Sequence, residues 1–137
     1  PTLVEMGERF FRYSAFSRFT DYAPAHVEQM LVVLLDSGIV LVAEGDERLA
    51  GAVVGAMSYL WFNHAVTVAT EVAWWVEPDH RGTTGLRLLK AFEQGARDRG
   101  AHLVSVSDLV IDGRSSTGDM LGRLDYELVE RSHVRGA

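Results

Sequence analysis

Between residues 80 and 92 the chain carries basic side chains and no carboxylate, although its formal net charge is −6. The basic residues are Arg81, Arg87 and Lys90, the only lysine of the protein. Gly82 and Gly85 lie among them and allow a tight turn, after which the apolar spacing predicts a helix over 85–98. Because a helix N-terminus with basic neighbours attracts anions, this segment predicts an anion site, with phosphate as the first candidate.

Two common phosphate-binding loops do not fit this segment. A Walker loop requires a glycine followed directly by lysine, and the sequence contains no such pair. A dinucleotide fingerprint requires the spacing GxGxxG, which residues 82–85, GTTG, do not have. An anion site of another kind remains, and the alternative is a structural turn whose arginines are only solvated.

Residues 71–89 resemble the acyl-CoA loop of the GNAT superfamily of N-acyltransferases. In that family a strand ends in Val-x-Pro, an Arg-Gly-rich loop follows, and a helix opens with two leucines. Residues 76–89 read VEPDHRGTTGLRLL and carry each of these parts. Two features depart from the family signature: the loop is one residue shorter, and Thr84 stands where a glycine is common. The resemblance extends over residues 24–134.

The resemblance implies an activity and a co-substrate. The chain would transfer an acetyl or related acyl group from acetyl-CoA to a primary amine by direct attack, without a metal ion. Backbone amides of the loop would bind the pyrophosphate, helped by the Arg81 guanidinium, and a backbone N–H near Val76 would polarise the thioester carbonyl. The binding residues implied for acetyl-CoA are Trp75, Val76, His80, Arg81, Gly82, Thr83, Thr84, Gly85 and Leu86.

Proton transfer needs a base, and the resemblance implies Glu71 as the catalytic residue. A carboxylate can deprotonate an ammonium directly or through water, and partial burial would raise the pKa of this carboxyl toward the working pH. The alternative is an exposed strand carboxylate without a catalytic role, and His64 and His80 are weaker candidates. Leu121 stands where many family members have a tyrosine as general acid, so thiolate departure would depend on water or Ser116, or would need no acid at all.

The elements that would position these residues form an α+β fold. Apolar periodicity predicts helices over 4–16, 24–36, 85–98 and 117–124, and β-branched and aromatic residues predict strands over 39–44, 49–61, 66–76, 102–107 and 126–134. The expected architecture is a mixed, mostly antiparallel central sheet flanked by helices. It includes a right-handed βαβ unit, the acyl-CoA-binding unit of the family, whose two strands would splay apart around the pantetheine arm. Gly51 and Gly55 predict a bulge or a close backbone approach.

Length and composition limit the other functions. A chain of 137 residues predicts one GNAT-like domain over 1–137, with the family's first strand absent or truncated. The absence of cysteine excludes disulfides, a thiolate nucleophile and thiolate metal sites. The longest apolar run, 49–62, is too short to span a membrane. A net charge of −6 argues against nucleic-acid binding and mildly favours an amine substrate, and a cytoplasmic location is expected.

The acceptor is expected to be a small-molecule or peptide amine bound between the first two helices. Aromatic candidates for the walls of that groove are Phe11, Tyr13, Phe16 and Tyr22. Such residues more often belong to the core. Trp74 and Trp75 could also be core residues, or one of them could face the acyl or acceptor pocket. The alternative function is a non-catalytic CoA- or anion-binding domain with a sensing or structural role. A homodimer is also compatible with the family, and an exposed tryptophan or strand edge would favour an oligomer.

Overall fold

The computed structural model describes residues 2–137 and combines helices with a central sheet, as predicted. The α-helices are α1 (Leu3–Tyr13), α2 (Pro24–Ser37), α3 (Thr83–Asp98) and α4 (Gly118–Arg123). The strands are β1 (Ile39–Glu44), β2 (Leu49–Leu60), β3 (Asn63–Val76), β4 (Leu103–Ser105), β5 (Val110–Ile111) and β6 (Arg114–Ser115). Short 3₁₀ helices span Ala15–Arg18 and Pro78–His80.

The central sheet has the strand order β1-β2-β3-β4. The first three strands form an antiparallel meander, and β4 pairs in parallel with β3 after the crossover through α3. Successive residues of a strand point to opposite faces, so Val53 packs in the cluster under α3 while Ala52 packs in the cluster under α1. The predicted α+β fold with a βαβ unit is therefore confirmed.

Glycines in β2 allow close packing at the centre of the sheet. A Cβ atom at Gly55 would lie 2.3 Å from Phe92 Cε2, and Phe92 is one of the most deeply buried side chains. The register of β2 and β3 shifts beside this glycine: Val54 is opposite Ala73 and Gly55 is opposite Glu71. One residue of β3 is consequently left over in a bulge. Both the bulge and the close approach expected from the glycines occur here.

The C-terminal segment does not form the predicted strand. Residues 126–134 have no regular secondary structure, and Leu128 and Val129 are 68% and 82% exposed. A segment of high β-propensity such as this one forms a strand only if a strand edge is available to pair with it. Because β4 has only three residues, it offers little edge, and the Tyr126 hydroxyl instead donates a hydrogen bond to Glu93 Oε1 at 2.9 Å.

Two further boundaries differ from the prediction for local reasons. The predicted first helix ends at Tyr13 rather than residue 16, because the backbone of Ser14 is extended and a 3₁₀ helix follows. The predicted strand 102–107 is reduced to β4, and the segment expected to be a loop, 108–114, contributes to the small β5–β6 hairpin. The remaining predicted helices and strands lie within about three residues of their observed bounds.

Candidate active site

A groove of about 960 Å³ lies between α1, α2 and the sheet and continues to the start of α3. Most of its lining is apolar. Among the described residues that line it, Glu71 is the only carboxylate and Arg81 the only arginine or lysine. One carboxylate, one guanidinium and one imidazole, that of His26, therefore lie in an otherwise largely apolar surface, where the electrostatic effects of charged groups are strong.

Glu71 lies where β3 and β4 part. Their pairing ends at Thr70 and Ser105, and two residues later the backbone N–H of Ser107 donates a hydrogen bond to Glu71 Oε2 at 3.0 Å. The residue is only 8% exposed, which excludes the exposed strand carboxylate considered from the sequence. Burial raises the pKa of Glu71, and the hydrogen bond from Ser107 opposes that effect only in part. A raised pKa makes a carboxylate a stronger base.

The N-terminus of α3 lies at the other end of the groove. Its N-cap is Gly82, with φ 129° and ψ −120°, a conformation that L-amino acids with a side chain rarely adopt. Within residues 2–137, no side chain caps this helix and no acidic residue occupies its first turn. The first-turn N–H groups are consequently without a capping acceptor, and Gly82, Gly85 and Leu86 line the groove beside them.

Arg81 connects the α3 loop to the wall formed by α1. Its guanidinium carbon lies 4.9 Å from the centre of the Trp75 ring, and its Nε donates a hydrogen bond to the Val76 carbonyl at 3.2 Å. The same indole lies 5.6 Å from the ring of Phe10 and 5.1 Å from that of Tyr13. Arg81 is thus held on an aromatic surface, and it is the only arginine or lysine among the described residues that line the groove.

The two tryptophans lie on opposite sides of β3. Trp75 is buried in the cluster under α1, whereas Trp74 packs against the cluster under α3. An ion pair fixes α1 over this part of the sheet: Arg9 Nε donates to Glu77 Oε1 at 2.8 Å, and Glu77 is 2% exposed. Removing Arg9 would leave the desolvated charge of Glu77 without a partner, so this contact holds the α1 wall in register with the end of β3.

Not every predicted residue lies in this groove. His80 and Thr84 line a second, smaller cleft of about 500 Å³ with Arg87, next to β1. The His80 ring nitrogen Nδ1 is 3.0 Å from Asp79 Oδ1. Thr83 is exposed and is absent from the described lining of either cleft. The structure brings together Glu71 with Trp75, Val76, Arg81, Gly82, Gly85 and Leu86.

The other proton-transfer candidates occupy different places. His64 stacks on Tyr59 with 4.0 Å between ring centres, at the far end of the β2–β3 hairpin. Leu121 is buried, and the nearby Tyr126 hydroxyl is engaged by Glu93. Burial, followed by the contact with Glu93, raises the pKa of Tyr126 well above its ordinary value, which makes it a poor proton donor. Ser116 does line the groove.

The loop that carries Ser116 is organised by Asp108. This carboxylate accepts hydrogen bonds from the backbone N–H groups of Ser116 and Thr117, at 3.1 and 2.8 Å, and from the Ser115 hydroxyl. Burial alone would raise the pKa of Asp108, but these hydrogen bonds outweigh it and lower the pKa. Asp108 therefore stays ionised and holds in place the loop that brings Ser116 to the groove.

Of the predicted aromatic residues, Phe11, Phe16 and Tyr22 line the groove. Tyr13 is half exposed and covers Trp75 instead. Sequence reasoning missed Ser107, whose contribution to Glu71 is a backbone N–H that no side-chain pattern reveals. It also missed Phe10, although the helical spacing of the aromatic residues in α1 could have indicated it.

Metal ligands and membrane-spanning helices are both missing from the part of the chain that the structure describes. Residues 2–137 contain no group of three or more His, Cys, Asp or Glu side chains placed to hold a metal ion. No helix in that part of the chain is long and apolar enough to cross a membrane.

A sequence model of the acetyltransferase (GNAT) family matches residues 4–114 of this chain. The chain belongs to the GNAT family. The match includes the whole β3–α3–β4 unit and ends before α4, so the departures at the C-terminus lie outside it. A comparison with curated protein sequences found no match.

Several solved structures share the fold of this chain. A candidate acetyl transferase from Pyrococcus furiosus is 20% identical, with a TM-score of 0.69, over 98% of this chain and 88% of its own. A transcriptional regulator from Bacillus halodurans is 15% identical, with a TM-score of 0.75, over 100% of this chain and 96% of its own. A predicted acetyltransferase from Clostridium acetobutylicum, solved with acetyl-CoA, is 12% identical, with a TM-score of 0.62, over 82% of this chain and 74% of its own. At these identities the likeness shows the fold alone.

Replacing Glu71 by Gln should stabilise the protein more as the pH rises. Because the pKa of Glu71 is raised in the folded state, its contribution to stability is complete below the unfolded pKa and is lost as the pH rises through the folded pKa. A glutamine side chain at this position loses no such contribution and can still accept the Ser107 hydrogen bond. Urea unfolding between about pH 4 and pH 8 measures the difference in free energy of unfolding between variant and wild type.

The matched control is Glu47→Gln, at an exposed position in the turn between β1 and β2. Its difference from the wild type should stay nearly constant over the same pH range. A constant difference for Glu71→Gln as well would contradict a raised pKa at residue 71.

Proposed function

We propose that this protein transfers an acetyl group from acetyl-CoA to a primary amine by direct attack. Membership of the GNAT family supports acyl transfer in general. The observation that carries the finer proposal is the placement of a buried carboxylate, Glu71, in the same groove as the uncapped N-terminus of α3. The carboxylate suits the amine of the acceptor, and the helix N-terminus suits the pyrophosphate of acetyl-CoA.

Acetyl-CoA would enter along the gap between β3 and β4. The first-turn amides of α3 would bind its pyrophosphate, with Arg81 adding a positive charge. Beyond Thr70 the β4 side of β3 has no strand partner among the described residues, so its backbone groups can bond the pantetheine amides and the thioester carbonyl. Val76 belongs to this stretch, which supports the predicted role of its backbone.

The reaction would require one proton transfer before attack and one after it. Glu71 takes a proton from the ammonium, and the neutral amine nitrogen attacks the thioester carbon. The carbon–sulfur bond then breaks, the CoA thiolate leaves, and the nitrogen loses its extra proton to give the amide. That proton would reach the thiolate through water or the Ser116 hydroxyl, since the residue at 121 is a leucine and Tyr126 is hydrogen-bonded elsewhere.

The lining of the groove favours an amine with an apolar body. The part formed by α1 and α2 contributes the apolar side chains Leu3, Met6, Phe10, Phe11, Phe16 and Met30. Glu71 is the only carboxylate of the described lining, so one cation can be paired there and a second would lie unpaired against apolar walls. We therefore propose an arylalkylamine or alkylamine, or a peptide N-terminus with an apolar side chain, rather than a polyamine.

A domain that binds CoA without turnover is the second candidate. The observation that favours it is the leucine at position 121, together with the engagement of Tyr126 by Glu93. Binding and turnover therefore have to be measured separately.

Acetyl-CoA affinity should depend on Arg81 and much less on Arg87. Both substitutions by Ala remove one positive charge from the same segment, but only Arg81 lines the groove, whereas Arg87 faces the second cleft. Losing a charge-assisted contact should raise the dissociation constant about tenfold for Arg81→Ala, and about twofold for Arg87→Ala through loss of long-range attraction. Calorimetric titration with acetyl-CoA measures both.

Equal effects of the two variants would remove Arg81 from the site. No detectable binding to the wild type would remove acetyl-CoA as the co-substrate and with it both candidate functions.

Turnover should require the Glu71 carboxylate. Glu71→Gln keeps the shape and the Ser107 hydrogen bond but cannot take a proton, so the rate at saturating amine should fall about 10²–10⁴-fold. The affinity for acetyl-CoA should stay within about twofold of the wild type. The same exposed-site control, Glu47→Gln, should retain the wild-type rate. Binding without turnover in the wild type would instead establish the second candidate.

Among acceptors, an arylalkylamine should be preferred to a polyamine of similar length. The expected ratio of kcat/KM values is at least about tenfold, because the second ammonium of a polyamine has no carboxylate to pair with in this groove. A thiol-release assay over a panel of amines measures the ratio. Faster acetylation of the polyamine would contradict the proposed acceptor class while leaving the acetyltransferase activity itself established.

A further inference from the structure

The outer halves of β2 and β3 project beyond their neighbours in the sheet. β1 begins at Ile39, opposite Gly55, and β4 begins at Leu103, opposite Val68. Residues 58–67, called the hairpin arm here, are therefore paired within the described chain only through the β2–β3 ladder, apart from the contact between Thr67 and His102 at its base. Most of the arm is exposed, in contrast to the buried inner half of β2.

The tip of the hairpin arm is aromatic. Trp61 is 91% exposed and Phe62 87% exposed, and together they form the two-residue turn between the strands. Such turns usually carry Asn and Gly, which accept the required backbone conformations. Residues 49–70 also contain no Asp, Glu, Lys or Arg. An uncharged arm with two exposed rings is the kind of surface that proteins cover by association.

The two edges of the arm differ in their capacity to pair. On the β3 side the register jumps, since Tyr59 is opposite Thr67 but Leu60 is opposite Asn63. The N–H of Ala65 donates to the Asn63 side chain at 3.0 Å, and the N–H of Thr67 donates to His102 Nδ1 at 3.0 Å. These side-chain bonds and the irregular register block further strand pairing there.

The β2 edge is open. Residues 56–60 continue β2 in regular register with β3 as far as Tyr59, and no strand among residues 2–137 pairs with them on the side where β1 ends. The edge carries no charged residue and no proline, two devices that usually prevent pairing with another chain, and the irregularity at Tyr59 and Leu60 has its extra residues on β3.

We propose that two copies of this chain form a symmetric dimer by antiparallel pairing of their β2 edges, residues 56–60, centred on Ser58. A two-fold axis at Ser58 places Trp61 of one copy beside Gly55 of the other. Gly55 packs against Gly38 at the end of α2, whose last turns expose Val33 and Leu35 by 55% and 62%. The aromatic tip of each copy would thus reach an apolar surface on the other.

A second copy fits this surface better than a membrane does. Four aromatic rings would bury about 600–1,000 Å², and strand pairing would raise this toward the roughly 1,200–2,000 Å² of a specific interface. An anionic membrane attracts clusters of Lys and Arg, whereas the arm has none and the chain carries a net charge of −6. This inference does not depend on the proposed acyl transfer.

Cysteine cross-linking tests the pairing directly, because the chain has no cysteine of its own. Residues directly opposite in an antiparallel pair have Cα atoms about 4.5–5.5 Å apart, within the roughly 4.4–6.8 Å that a disulfide spans. Ser58→Cys should therefore give a covalent dimer on mild oxidation. Ser105→Cys is the matched control, an exposed serine on the β4 edge, and should stay uncross-linked. The reverse result would overturn the proposed interface.

Sedimentation equilibrium tests whether the aromatic tip of the hairpin arm contributes to dimerisation. The double variant Trp61→Asn/Phe62→Gly replaces the rings by residues well suited to the turn, so the hairpin should still form. It should weaken dimerisation about 100-fold or more, whereas Leu128→Asn/Val129→Gly, which removes two exposed apolar side chains elsewhere, should match the wild type. A monomeric wild type, or a tip variant that dimerises as tightly as the wild type, would overturn the proposal.

Discussion

The parting of two parallel strands is the constraint on which the site depends. Where β4 leaves β3 after Thr70 and Ser105, backbone groups lose their partners in the interior of the fold. Glu71 occupies the beginning of that gap and accepts a hydrogen bond from one of the freed N–H groups, that of Ser107. The same parting leaves the β4 side of β3 open up to the loop that starts α3. The separation of β3 from β4 therefore creates the buried position of Glu71, the open path beside it and the approach to the N-terminus of α3.

The fold and the chemistry are supplied by different parts of the chain. Proteins with the same architecture include both acetyltransferases and a transcriptional regulator, so the fold does not choose between catalysis and binding. What distinguishes this chain is local. Among the described residues it has a single carboxylate in a largely apolar groove, a glycine-led helix without a side-chain cap, and a leucine where a proton donor is common. In the proposed reaction these features would determine which amine is held and how the leaving thiolate is protonated.

Much of the fold could be predicted because helices and strands longer than about ten residues repeat their periodicity several times. The β3–α3 segment was predictable for the further reason that its glycines and arginines form a specific pattern. The strand predicted over 126–134 was wrong because strand formation depends on a free strand edge, which the sequence alone does not show. His80 and Thr84 were placed with the loop by their neighbours in sequence, yet their side chains face the other cleft. The hydrogen bond from Ser107 to Glu71 could not be predicted because Ser107 donates it through its backbone N–H.

Arg81 belongs to both halves of the groove at once. Its backbone precedes the N-cap of α3, while its guanidinium lies on the indole of Trp75, which forms part of the wall beneath α1. An anion that draws the guanidinium toward the helix would uncover that indole and thereby reshape the surface offered to the amine. In the proposed reaction the order in which the two substrates bind would then be set by one side chain, because the acceptor surface would be complete only after acetyl-CoA had bound.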